Sequence, residues 1–140
     1  EPEASSPAPG HDPRLRTAAE AVERGDFAAA VATYEEMLVD APHDTVLLRA
    51  RAAVSVLLRA STMERTRDPI QAAAADPTDI AAALDAADAL VLLDQPVEAV
   101  ELLTARLPET RERVLDLLHL LDPADPAVTA ARRAVAGALY

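Results

Sequence analysis

The 140-residue chain contains no cysteine, no tryptophan and no lysine. Without cysteine it holds no disulfide, no thiolate metal site and no thiol redox chemistry. Without lysine, amine modification is excluded everywhere but at the chain terminus, and arginine supplies all 13 basic residues. Aromatic residues make up 2% of the chain and glycine occurs three times. A core built around large rings is therefore excluded, and no glycine-rich phosphate loop is present. Long hydrophobic runs are missing too. The most apolar stretch, IAAALDAADALVLL, is broken by Asp85 and Asp88, so it does not read as a membrane-spanning helix. Positive charge is scarce: the net charge is −11 and the pI is near 4.5. Such a surface repels phosphate backbones and anionic lipid, so no nucleic acid and no membrane are expected as partners.

What is present is alanine. Hydrophobic residues reach 51%, and alanine dominates them. Alanine is the strongest helix former and lets helices approach closely. Strand formers do not cluster in alternating runs, so the chain reads as all-α and, at this length, as one domain. Residues 1–11, EPEASSPAPGH, have nothing to build a core from and read as a flexible linker. That start is acidic and proline-rich, so no signal peptide is read there. Because it opens on Glu1 rather than methionine, the expectation is a piece of a longer protein.

Five Asp-Pro pairs punctuate the rest, beginning at Asp12, Asp68, Asp76, Asp122 and Asp125. Aspartate caps the free N–H groups of a helix start, and proline fits the first helical position. Helix starts are therefore expected near 13, 69, 77 and 126, with Asp122-Pro123 as a turn. The helices predicted are about 12–24, 27–40, 44–64, 69–75, 77–93, 96–106, 108–121 and 125–139. Short connections between them predict antiparallel hairpins.

Charge is uneven. Residues 45–67 hold one acid and five arginines, whereas residues 68–110 hold nine acids and one arginine. Leu47, Ala50, Val54, Leu57 and Leu58 gather on one arc of the third helix. Arg49, Arg51 and Arg59 lie on the other side. A solvated face paired with acidic neighbours is expected there; a patch for an acidic partner is the alternative.

The stretch ERGDFAAAVATYEEMLVDAP carries the most informative spacing. Gly25 suits a helix end needing φ > 0. Phe27 opens the next helix, Ala30 follows at the helix crossing, Tyr34 lies two turns after Phe27, and Pro42 stops the helix. This order resembles the second half of a tetratricopeptide repeat. Arg14, Thr17 and Ala18 stand where that pattern would have Trp, Leu and Gly. A second unit aligns Ala99 with Ala30 and Leu103 with Tyr34, a shift of 69 residues, about two repeats of ~34. The span 43–76 shows no good repeat and predicts a degenerate one. The Arg24-Gly25-Asp26 triplet is then an inter-helix turn with Asp26 as a cap, rather than an integrin-type ligand.

The last thirty residues, RERVLDLLHLLDPADPAVTAARRAVAGALY, resemble the end of YbbN-like (CnoX) thioredoxin-related co-chaperones. The resemblance spans residues 12–140 and rests on Gly25-Asp26-Phe27, Ala30, the helix from Pro96 to Leu103, Arg132-Arg133 and Leu139-Tyr140. It implies an upstream thioredoxin-fold domain, a cytoplasmic holdase for unfolded clients, and a terminal helix that docks on a chaperonin. Arg132, Arg133, Val135, Leu139 and Tyr140 are the partner-binding residues that follow from it. Val128, Ala131, Val135 and Leu139 or Ala138 also recur at helical spacing, which fits either a partner's groove or packing on the preceding helix.

Chemistry is not expected. His11, His43 and His119 are scattered and lack metal-ligand companions. Asp85 and Asp88 share a helix face but read as solvated. The serines have no nearby histidine to activate them. The chain is thus expected to be non-catalytic, without cofactor or metal. Competing readings are a tetratricopeptide adaptor unrelated to chaperones and, last, an enzyme domain with a deep pocket of titratable groups.

Overall fold

The computed structural model describes residues 12–138; the expected linker 1–11, with Leu139 and Tyr140, lies outside the described residues. These residues form eight α-helices and no strand. They are α1 (Pro13–Glu23), α2 (Phe27–Asp40), α3 (Thr45–Ser61), α4 (Pro69–Ala75), α5 (Ile80–Leu92), α6 (Pro96–Thr104), α7 (Arg111–Leu117) and α8 (Pro126–Gly137). A 3-10 turn, Leu118–Leu120, prolongs α7.

Three of the four Asp-Pro starts are seen. Asp12, Asp68 and Asp125 accept hydrogen bonds from the backbone N–H of Arg14, Ile70 and Ala127, each with proline in the first helical turn. Asp122 makes the expected turn, accepting from Ala124 N–H at 2.9 Å. Asp76 does not start a helix. Its carboxylate accepts from both the N–H and the hydroxyl of Thr78, at 3.0 and 2.6 Å. Asp79 caps α5 instead, through Ala82 N–H at 3.0 Å. A local side-chain bond two residues on has outcompeted the helix.

Two other ends differ from expectation. α3 stops at Ser61 rather than 64, because Ser61 and Thr62 turn their hydroxyls back onto the carbonyls of Leu58 and Arg59. α7 begins at Arg111 rather than 108, after a cis Leu107–Pro108 peptide. Thr110 precedes it, but its buried hydroxyl is spent on the Leu103 carbonyl at 2.6 Å and does not cap.

The chain divides into two compact units, residues 1–55 and 56–140. In the first, α1 packs on α2. Ala18 and Ala30 are both fully buried, since only a methyl group fits where helices touch. Ala21, Ala30 and Val54 form one cluster, flanked by half-buried Phe27 and Tyr34; Met37, Leu38 and Leu47 form another.

In the second unit α5 packs on α4 and α6, and α6 on α7 and α8. Its main core joins Val56, Ala83, Ala87, Ala99, Val100, Leu103, Val114, Leu117 and the inward face of α8. Leu103 and Leu117 are fully buried, each worth roughly 2 kcal/mol in removed apolar surface. The alanines add little area; their role is to permit close approach.

The register of 69 residues recurs in the backbone. Ala87 and Ala99 are fully buried, as are Ala18 and Ala30. The turn after α1 carries Gly25 at φ 79°, and the turn after α5 carries Asp94 at φ 61°. Asp26 N–H reaches back to the Ala21 carbonyl at 2.8 Å, and Gln95 N–H to the Leu90 carbonyl at 2.8 Å. Both are Schellman closures with a left-handed residue.

Candidate functional site

Asp88 follows Ala87 on α5, a helix with apolar residues on nearly every side. The face of this helix that carries Ala83, Ala87 and Asp88 is buried, and Asp88 is 1% exposed. A buried carboxylate needs charged partners. Arg59, from the last turn of α3, donates in a fork: Nε to Oδ2 at 2.9 Å and Nη2 to Oδ1 at 3.0 Å. Arg113, from α7, donates Nη1 to Oδ2 at 3.2 Å and to the Leu84 carbonyl at 3.5 Å. Burial holds the Arg113 guanidinium below its ordinary pKa; Asp88 opposes that pull and the neighbouring Arg59 adds to it. The three side chains tie α3, α5 and α7 together within the second unit.

Beside Arg113 lies an open depression of about 320 Å³, lined by Leu84, Glu109, Thr110, Glu112, Arg113 and Asp116. Among the described residues, the ion pairs within 4 Å involve Asp12, Asp26, Glu36, Asp40 and Asp88. Glu109, Glu112 and Asp116 are in none of them. No group of three histidine, cysteine, aspartate or glutamate side chains among the described residues is placed to hold a metal ion. No helix among them is long and apolar enough to cross a membrane.

The residues expected to meet a partner fall into three environments. Arg132 and Arg133 are exposed on α8. Val135 is 5% exposed and sits in the core with Val128 and Ala131. Leu139 and Tyr140 lie outside the described residues. Of the arginines expected on the polar side of α3, Arg59 has an acidic partner, but a buried one rather than a solvated neighbour. The expectation that Asp88 is solvated is corrected. The apolar residues flanking Asp88 in IAAALDAADALVLL were the signal available. Leu92 and Leu93, at the end of α5, are 52% and 61% exposed.

Three curated relatives resemble the chain: one uncharacterized protein of Mycobacterium bovis and two of Mycobacterium tuberculosis. Each is 37% identical over 137 residues, covering 92% of this chain and 44% of the relative. The chain therefore spans less than half the length of the curated relatives it matches. No solved structure matches it significantly. The family model described as tetratricopeptide repeat matches residues 59–140, taking in α4 to α8, the buried Arg59–Asp88–Arg113 group and the depression beside it. With its alanine-crossed helix hairpins and that match, the chain belongs to the tetratricopeptide-repeat family.

Proposed function

We propose that this chain is the non-catalytic interaction domain of a cytoplasmic, thioredoxin-related co-chaperone, which holds unfolded clients and docks on a chaperonin through α8. The coarser part, a repeat domain that binds proteins, follows from the family match over residues 59–140. Stacked hairpins of this family present extended surfaces to other polypeptides. The finer part is supported by the C-terminal sequence ARRAVAGALY and by exposed Arg132 and Arg133. The relatives' length supports it as well: more than half of each lies beyond the match, which leaves room for a thioredoxin-fold domain.

The packing of α8 dictates the form of the test. Deleting the helix would strip Val128, Ala131 and Val135 from the core, so loss of binding would report unfolding. Replacing the exposed pair, Arg132→Glu with Arg133→Glu, leaves the core intact. The immobilised chain should retain purified bacterial chaperonin and delay aggregation of a heat-denatured reporter enzyme. The double variant should lose retention while its circular dichroism is unchanged. If the parent chain neither retains the chaperonin nor delays aggregation, the co-chaperone reading is overturned in favour of a general adaptor.

A further inference from the structure

We propose that the loop between α3 and α4 is a cleavage site for an arginine-specific endopeptidase, cut between Arg65 and Thr66, and that the fork from Arg59 to Asp88 holds the two products together. The first observation is the backbone. Thr62 and Met63 N–H still reach back to the carbonyls of Arg59 and Ala60, at 3.2 Å each. The next backbone bond runs from Ala72 N–H to the Asp68 carbonyl. Between them, residues 64–67 make no backbone–backbone hydrogen bond, and all four are exposed. An endopeptidase draws its substrate out as an extended strand, and exposed backbone without such bonds yields to it first.

The second observation is where the arginines stand. With no lysine in the chain, a trypsin-like enzyme can cut only after arginine. Arg65 and Arg67 are exposed and in no ion pair within 4 Å among the described residues. Arg24 lies in a turn closed by backbone bonds from its own N–H and from those of Gly25 and Asp26. Arg106 is half-buried, with Nη1 on the Leu102 carbonyl at 2.8 Å. The remaining arginines lie within helices. Of the two in the loop, Arg65 is the freer. Asp68, directly after Arg67, caps α4 through Ile70 and Gln71 N–H at 2.9 and 3.4 Å, and Pro69 opens that helix. Hydrolysis breaks the bond between the Arg65 carbonyl carbon and the Thr66 nitrogen. Water adds its hydroxyl to that carbon and a proton to that nitrogen.

The third observation is what holds the products. Val56, near the end of α3, is 1% exposed within the main core of the second unit. Arg59 donates to both carboxylate oxygens of Asp88. Withdrawing α3 would leave Asp88 buried with Arg113 alone, and taking one partner from a buried charge is strongly opposed. The cut falls beyond the fork and leaves it in place.

The test is a time course of the 140-residue chain with a trace of trypsin, read by intact mass spectrometry and size-exclusion chromatography. The first products should be residues 1–65 and 66–140, eluting together at the volume of the uncut chain. Arg65→Gln with Arg67→Gln, at two exposed loop positions, should slow the first cut more than about tenfold, because the other sites need local unfolding first. In the cut parent chain the α5 amides should stay protected from hydrogen exchange, a readout that needs no variant. In cut Arg59→Gln they should lose protection and the products should separate. A first cut at any other bond, parent products that elute apart, or cut Arg59→Gln products that stay together would each overturn the proposal. Chaperonin capture at α8 plays no part in this assay, so the two readings fail separately.

Discussion

The turn from α1 to α2 and the turn from α5 to α6 do the same job with different residues. Each follows a fully buried alanine, Ala18 or Ala87, and precedes another, Ala30 or Ala99. Each closes with a left-handed residue and a backbone bond of 2.8 Å to the last turn of the first helix. The first uses glycine at the strained position and Asp26 as a cap to Ala29 N–H. The second uses Asp94 there, and Gln95 makes no side-chain cap; Pro96 opens the helix instead. A hairpin geometry is thus kept by backbone hydrogen bonds and by small residues at the crossing. The turn residues adjust its stability rather than choose it.

The largest difference between the two regions is the residue after the crossing alanine. In the second unit it is Asp88, 1% exposed; the position 69 residues earlier is exposed Ala19. Asp88→Ala would leave two half-buried guanidinium groups facing each other. The expected cost is about 3 kcal/mol, the low end for breaking a buried pair, because both arginines keep some access to water. Ala19→Asp should change stability by less than about 0.5 kcal/mol. Hydrogen exchange, read separately for α1–α2 and α5–α6, checks both. Similar losses from the two substitutions would erase the distinction.

The strained position gives the next effect. A Cβ at Gly25 meets nothing within 4 Å, so Gly25→Ala costs only the left-handed backbone, about 1 kcal/mol. Asp94→Gly should move the other way and stabilise by about 0.5 kcal/mol. Urea unfolding of the two variants measures the opposite signs directly, and a destabilised Asp94→Gly would show that the Asp94 side chain matters beyond its backbone.

The smallest effect concerns acid. Asp12 in the first unit is held below its ordinary pKa of 3.8, chiefly by hydrogen bonds from the Arg14 side chain. Asp76 in the second is held below 3.8 chiefly by the Thr78 hydroxyl. Both carboxylates are more acidic folded than unfolded, so their contribution is complete above the unfolded value. It is lost as pH falls below 3.8 through each folded value. Both groups lie at the surface, so the effect is small. NMR titration of the carboxyl carbons should show the Asp12 shift fading in high salt, because its partner is charged. The Asp76 shift should persist in salt and shrink in Thr78→Ala, which keeps only the bond from the backbone N–H.

Much of the fold was readable from spacing. Asp-Pro pairs announced three helix starts, and Gly25, Ala30 and Tyr34 announced a repeat whose second copy lay 69 residues on. The misreadings share one cause. Asp76, Ser61, Thr62 and Thr110 all carry short polar side chains that can cap a helix or bond elsewhere, and the choice depends on which carbonyl or N–H is near. The site was less legible. Arg132, Arg133 and Val135 are neighbours in the chain, yet the first two are exposed and the third is in the core. The depression itself was not legible, because Leu84, on one wall, lies 25 residues before Glu109.

The amino-acid sequence on its own determined that this chain is helical, hairpin-forming and acidic, because propensity, capping and net charge act over a few residues or over the whole composition. Only the tertiary structure decided that Asp88 is enclosed by Arg59 and Arg113, and that Glu109, Glu112 and Asp116 border a hollow beside Arg113. Those outcomes depend on how α3, α5 and α7 are brought side by side, and burial converts an ordinary aspartate into a charge that must be matched.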